Sequence, residues 1–179
     1  SDKPLQFYSA TKKSNEVMSY AYSNLYKFKT TGLRFFTVYG PWGRPDMAYY
    51  KFTNLIKKNK TIPIHNNGKH KRDLTYISDI IQAINKIVKN KKSYIQRGNK
   101  VNSKIFNIGN SKTVKLIDIV NFLEKSFKMK AKKKFVNKQP GEMLDTLSNS
   151  KKLRNNFRLK FNTPFNKGMR SFFDWYMHY

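Results

Sequence analysis

The sequence predicts an α/β protein, part of a doubly wound parallel sheet, on three observations. Gly32 to Gly40 enclose the apolar, β-rich run Leu33-Arg34-Phe35-Phe36-Thr37-Val38-Tyr39, the length of a buried strand with a glycine at each end. A helical pattern precedes it across a short polar turn, the helix-to-strand step of such sheets. Amphipathic helices then recur, the clearest with Ile80, Ile81, Ile84, Ile87 and Val88 on one face.

In order, residues 1–30 read as a loop and a long helix. Val17, Met18, Ala21, Leu25 and Phe28 form its apolar stripe, widened by Tyr20, Tyr22 and Tyr26, and burial against the sheet is expected. A loop rich in Pro and Gly covers 41–47. A helix over 47–59 puts Ala48, Phe52, Leu55 and Ile56 on one side. A short strand follows at 61–64, placed at an edge by Pro63, and Asn66-Asn67-Gly68 is a hairpin-type turn signal. Ser78 or Asp79 is expected to cap the next helix. The polar stretch 89–103 reads as a loop or insertion. Leu116, Ile119, Val120, Leu123 and Phe127 mark another helix, and the basic run 128–134 leads into a strand through Phe135-Val136. Gln139-Pro140-Gly141-Glu142 is a turn. Two helices close the chain, the second opening at Thr163-Pro164, a capping residue and a first-turn proline. Its Phe165, Met169, Phe172, Phe173 and Tyr176 read as core rather than as a base-stacking platform.

The chain has 179 residues, enough for one real core, and a formal net charge of +27 from 37 basic and 10 acidic residues. Such charge attracts nucleic acid or anionic membranes non-specifically. The lysines are spread over helix faces and loops, with one dense cluster at Lys128–Lys134, and Lys, Asn and Ile are all abundant. An AT-rich coding bias with a solvated surface is the reading adopted, with no specific nucleic-acid partner; the alternative is a basic nucleic-acid-binding module, whose strongest feature is Lys128–Lys134. Cysteine is absent, which excludes disulfides and thiolate metal sites. His65, His70 and His178 lack zinc-site spacing and read as surface or loop residues; no metal is expected. No run of 18 apolar residues occurs and no signal peptide is visible, so no membrane association is expected and the cytoplasm is the default location.

Two stretches carry chemistry. Tyr8 and Lys12 lie four apart, hence one turn apart on a helix face. An ammonium within about 4–6 Å of a phenol favours the phenolate, which makes the tyrosine a candidate general base. The same spacing arises by chance on a surface helix in a chain so rich in Tyr and Lys. In the loop 41–47, Arg44 offers a planar donor fork suited to a carboxylate; the plain alternative is an arginine in solvent. Arg72 suits phosphate, or simply pairs with Asp73 at the surface. Asp73 and Asp79 do not read as a catalytic carboxylate pair.

Tyr8-Ser9-Ala10-Thr11-Lys12-Lys13, the stretch Thr30 to Ala48 with Val38-Tyr39-Gly40-Pro41-Trp42-Gly43-Arg44-Pro45-Asp46-Met47, and Lys71-Arg72-Asp73-Leu74-Thr75-Tyr76-Ile77 resemble the extended short-chain dehydrogenase/reductases, most of all the UDP-glucuronate 4-epimerases. The resemblance runs the whole length of the chain. The long second motif is specific; the Tyr/Lys pair alone is not. It implies the C-terminal part of an extended Rossmann-type fold plus the small α/β substrate-binding domain. Residues 1–40 would end the dinucleotide-binding domain. Residues 41–179 would be mainly substrate domain, with helix 79–89 packing back on the nucleotide-binding sheet. It implies NAD as cofactor, with Tyr8 and Lys12 catalytic and, with the Phe36 backbone, near the cofactor. Thr37 and Arg44 would hold a sugar carboxylate and Arg72 the diphosphate of a UDP-sugar. The Tyr helix would also pair with its copy in a homodimer. Glu142 stands where the family usually has Asp. No Gly-rich dinucleotide turn of the form G-x-G-x-x-G or G-x-x-G-x-x-G occurs, and the chain does not begin with Met. The expectation is a C-terminal piece of a longer enzyme, from a truncated sequence or a split gene, inactive alone.

Overall fold

The computed structural model describes residues 3–4, 6–90, 102–137 and 145–179. The expected turn at 139–142 and most of the polar stretch 89–103 lie outside them. The described elements are α1 (Phe7–Tyr26), β1 (Thr30–Phe35), β2 (Thr37–Tyr39), α2 (Ala48–Lys57), β3 (Ile62–His65), a 3-10 turn (Asn66–Gly68), β4 (Lys71–Tyr76), α3 (Ile77–Lys89), β5 (Ser103–Ile108), β6 (Thr113–Lys115), α4 (Leu116–Phe127), β7 (Lys133–Val136), β8 (Asp145–Thr146), α5 (Lys151–Phe157) and α6 (Phe165–His178). The class is α/β as expected: β1 with β5, β2 with β4, β3 with β7 and β4 with β8 all pair in parallel, while β6 lies antiparallel to β4.

The single strand expected over 31–40 is two strands in different ladders. β1 runs beside β5 from Thr30↔Ser103 to Phe35↔Ile108. The Phe36 N–H donates to Ile108 O at 3.1 Å, and β2 then joins β4, Thr37↔Leu74 to Tyr39↔Tyr76. Hydrophobicity stays continuous through the switch, so periodicity cannot reveal the change of partner. The Asn66-Asn67-Gly68 signal is a real turn, with φ of 47°, 50° and 74°, but it makes no hairpin. β3 pairs in parallel with β7, far along the chain, because Ile62 and Ile64 are fully buried in a core that α4 also supplies. Pro63 sits opposite Lys134 in this two-stranded ladder, at an edge as expected.

Two apolar clusters hold the chain. One joins α2, α4 and α6 with β3, through Tyr49, Phe52, Ile56, Ile62, Ile64, Leu123, Met169 and Phe172. Its rings interlock edge to face, Tyr49 on Phe172 at 4.8 Å and Phe127 on Phe173 at 4.8 Å. The other joins α3, β5 and α5 through Ile80, Ala83, Ile87, Phe106, Ile108, Leu153 and Phe157.

Two capping expectations are corrected. α3 begins at Ile77 after Tyr76, and neither Ser78 nor Asp79 caps it. Buried Asp79 instead accepts from the Thr163 hydroxyl at 3.0 Å and the Thr163 N–H at 3.2 Å. Thr163 is therefore spent on Asp79; α6 starts at Phe165, with Pro164 in the cap position. The α1 stripe finds no cover within the described residues. Val17, Met18, Leu25 and Phe28 are exposed, and Ser23 is the buried residue of this helix. The basic run is partly structural: Lys133 Nζ lies 2.8 Å from the nearly buried Glu124 carboxylate, which also accepts the Ala131 N–H at 2.8 Å. No helix of the described residues is long and apolar enough to cross a membrane. No cluster of His, Asp or Glu suited to a metal occurs among them.

Candidate active site

The start of α1, the switch between β1 and β2 and the loop after β2 border one open cleft of about 970 Å³. Tyr8, Phe36, Thr37 and Arg44, expected from sequence to share a site, all line it. Tyr8 is 64 % exposed on the first turn of α1. Lys12, one turn on, holds its ammonium over the Tyr8 ring, 5.1 Å from the centroid. A second cleft phenol, Tyr39, is buried. Burial first, then the charges of Asp79 and Tyr76, push it well above its ordinary value, and its hydroxyl donates to Phe165 O at 3.4 Å. Tyr8 is the exposed alternative.

The loop 40–47 is built from tight turns. Gly43 N–H donates to Gly40 O at 3.2 Å, and Met47 N–H to Arg44 O at 3.2 Å. Gly40 has φ +142°, and a Cβ there would sit 2.7 Å from Ile77 Cγ2, so both conformation and space require glycine. Gly43 leaves the room that the Tyr49 hydroxyl fills. That buried phenol is pushed up to about 12, chiefly by burial. Trp42 has φ +60°, costly for a bulky side chain by about 1–3 kcal/mol unless packing enforces it. Arg44 is exposed and held by Asp46 in a two-pronged fork, Nε to Oδ1 at 3.0 Å and Nη2 to Oδ2 at 2.6 Å. The hydrogen bonds to Asp46 raise its value first; the charges of Tyr8 and Tyr49 add weakly. The pair is bidentate and lies at the surface, open to solvent.

Arg72 is not in the Tyr8 cleft. It lines a neighbouring cleft of about 320 Å³ with His65, His70, Pro63 and Lys51, and Thr37 and Met47 border both spaces. The sequence reading of His65 and His70 as surface or loop residues is corrected: both face this second cleft, and His70 is buried. Arg72 Nη2 lies 3.3 Å from His70 Nδ1, and Arg72 Nη1 donates to Lys71 O at 3.2 Å.

The Arg72–Asp73 surface pairing considered from sequence does not form, because Asp73 is fully buried. Its carboxylate accepts the N–H groups of Asn110, Ser111 and Ser148, each at 2.9 Å. Three segments are thereby tied behind Arg72. Asp73 and Asp79 have separate partners and form no pair. Sequence reasoning missed this knot; its faint signal was an acidic residue inside a strand, together with serines far along the chain. It also missed Arg34, which grips Glu16 at 2.5 and 2.7 Å and fastens α1 to β1.

The sequence model of the NAD dependent epimerase/dehydratase family matches residues 1–109. Protein CapI of Staphylococcus aureus is 42% identical over 187 residues, covering 99% of this chain and 56% of its own. UDP-glucuronate 4-epimerase 1 of Arabidopsis thaliana is 42% identical over 188 residues, 99% of this chain and 43% of its own. The structure of UDP-glucuronic acid 4-epimerase from Bacillus cereus, in complex with UDP-glucuronic acid and NAD, superposes with a TM-score of 0.87 at 30% identity, over 98% of this chain and 54% of that one. The chain thus spans about half the length of the curated relatives it matches. With the parallel α/β architecture and the cleft behind Tyr8, these matches decide the family: the chain belongs to the NAD dependent epimerases/dehydratases.

Proposed function

We propose that this chain is the substrate-side part of an enzyme that inverts C4 of a UDP-linked hexuronic acid, UDP-glucuronate to UDP-galacturonate, through a 4-keto sugar. The carrying observation is that Tyr8, Thr37 and Arg44, from three segments, line one cleft, and that Thr37 and Met47 also border the neighbouring cleft lined by Arg72. A nucleotide sugar has that extended form, with the sugar beside Tyr8 and the diphosphate beside Arg72.

The residues fit a nicotinamide cofactor: an exposed phenol lines an open cleft together with Phe36, and the Lys12 ammonium, not itself lining the cleft, lies over the phenol ring. Lys12 would bond the ribose. The Phe36 N–H is committed to Ile108, so any bond from Phe36 to the carboxamide would come from its carbonyl. NAD, when bound, supplies hydride uptake and return at C4. Tyr8 removes the O4 proton as C4 is oxidised and returns it after the sugar has turned over in the cleft. Arg44 exchanges Asp46 for the sugar carboxylate, Thr37 adds a hydroxyl donor, and Arg72 carries the diphosphate charge. The likeness to relatives named for this epimerisation supports the same reading.

We assign residues 1–40 and α3 to the dinucleotide side and most of 41–179 to the substrate side. Pairing of α1 with a second copy would cover its exposed aromatic stripe, and the cytoplasm is the proposed location. The 179 residues hold no Gly-rich pyrophosphate turn, so they are expected to be inactive by themselves.

The test is turnover of UDP-glucuronate with NAD by the natural polypeptide carrying this chain. Tyr8→Phe should abolish it while leaving sugar-nucleotide binding in place; undiminished turnover sinks the assignment. One observation favours a neutral sugar instead: Arg44 is already neutralised by Asp46. Faster turnover of UDP-glucose than of UDP-glucuronate would establish that second reading.

A further inference from the structure

The chain's two tryptophans, Trp42 and Trp175, touch each other beside the cleft. Trp175 is rooted in the core of α6, near Phe172 at 6.0 Å and Tyr50 at 6.3 Å. Trp42, 72 % exposed and in the left-handed region, rests on it at 5.4 Å. Tyr179, 78 % exposed, closes the group, stacked on Trp175 at 5.2 Å and edge-on to Trp42 at 4.8 Å. One ring packed on the core and two largely exposed rings are thus in mutual contact, an arrangement that ties two exposed segments to a buried one. Trp42 precedes Arg44 by two residues, with Gly43 between them.

We propose that Trp42, Trp175 and Tyr179 form an aromatic clasp that fixes the 40–47 loop to α6. Trp42 and Tyr179 are thereby positioning residues for Arg44, acting on recognition of the sugar carboxylate without touching it. The Gly40–Gly43 turn puts Trp42 at positive φ, the packing of its ring on two others holds it there, and that backbone sets where the Arg44 fork points. The clasp rests on the assignment of Arg44 above only for its effect on substrate; its effect on the loop stands independently.

The experiment is Tyr179→Ala in the natural polypeptide, with Tyr179→Phe as control, since the clasp needs a ring and no hydroxyl. Near-UV circular dichroism reads the coupled rings directly, and amide exchange reads residues 42–47. In Tyr179→Ala the aromatic bands should weaken, exchange in the loop should quicken about tenfold, and far-UV signal and unfolding midpoint should hold. KM for UDP-glucuronate should rise about fivefold with kcat within twofold, and Tyr179→Phe should restore all three readouts. Unchanged loop exchange in Tyr179→Ala overturns the clasp. Faster exchange with an unmoved KM overturns its positioning role. If UDP-glucuronate proves not to be a substrate, the epimerase reading fails while the exchange and dichroism still decide the clasp.

Discussion

Two helices, α1 at the mouth of the proposed site and α6 behind β2 and β4, are packed in opposite ways. α6 buries Gly168, Met169, Phe172 and Phe173 in a core shared with α2 and α4. α1 buries Ser23, while Phe7, Tyr20, Leu25 and Tyr26 stand in solvent, and the Arg34–Glu16 fork is its strongest described tie to β1. The proposed base rides on the lightly packed helix; the proposed substrate grips ride on elements wedged against the well-packed one. Chemistry and stability should therefore be separable by mutation.

The largest effect should be catalytic and confined to α1. Tyr8→Phe is expected to lower kcat by about 10²–10⁴ with an unchanged urea midpoint, because the phenol is a proton carrier and not a packing element. A shifted midpoint would break the contrast. On the other side, Phe172→Ala should cost about 3–5 kcal/mol in urea unfolding, since it empties the centre of the ring cluster around Tyr49 and Tyr50. Asp73→Ala should cost about 3 kcal/mol or more, leaving three buried N–H groups without their acceptor. Arg72 should then lose nucleotide binding through movement of β4, measurable as weaker UDP binding.

A smaller effect sharpens the contrast through pH. Burial opposes ionisation of Glu124, yet the Lys133 ammonium and the Ala131 N–H outweigh it and hold the carboxyl below its ordinary range. Its folded value is thus below its unfolded one, about 4.3. The stabilisation is complete above that unfolded value and is lost as pH falls through the lowered folded value. Lys133→Ala should cost about 1–2 kcal/mol at pH 7, and the gap to the parent should shrink toward pH 3; a gap independent of pH would refute the pairing. The smallest effect is expected on α1: Leu25→Ser should change stability by less than about 0.5 kcal/mol in dilute monomer. A larger loss that grows with protein concentration would show that the stripe is already paired with a second copy.

Much of the fold was legible where one element satisfies its own residues. The helices over 48–57, 77–89, 116–127 and 165–178 lie within a few residues of their expected ranges, because each buries one face at helical spacing. Trouble began wherever a residue's partner lay far along the chain. Thr163 looked like a cap and serves Asp79, 84 residues away. Asn66-Asn67-Gly68 turned the chain correctly, but the strand beside β3 is β7. His70 looked like a loop histidine and is buried against Arg72. At the site, the motif Val38 to Met47 marked Arg44 and the loop glycines directly. Asp46, which occupies the Arg44 fork, was a local neighbour that sequence reasoning passed over, whereas nothing local foretold that Trp42 would find Trp175.

The order of residues alone determined the α/β class, the helical phase that aligns Tyr8 with Lys12, and the glycines that let the loop turn, since all of these depend on backbone dihedrals and near neighbours. The tertiary structure alone decided that the strand after α1 divides between two ladders, that Arg72 stands in a second cleft joined to the first at Thr37, and that Asp73 is a buried knot. Those outcomes follow from pairings across tens of residues, where the free energy belongs to contacts and burial that no local pattern encodes.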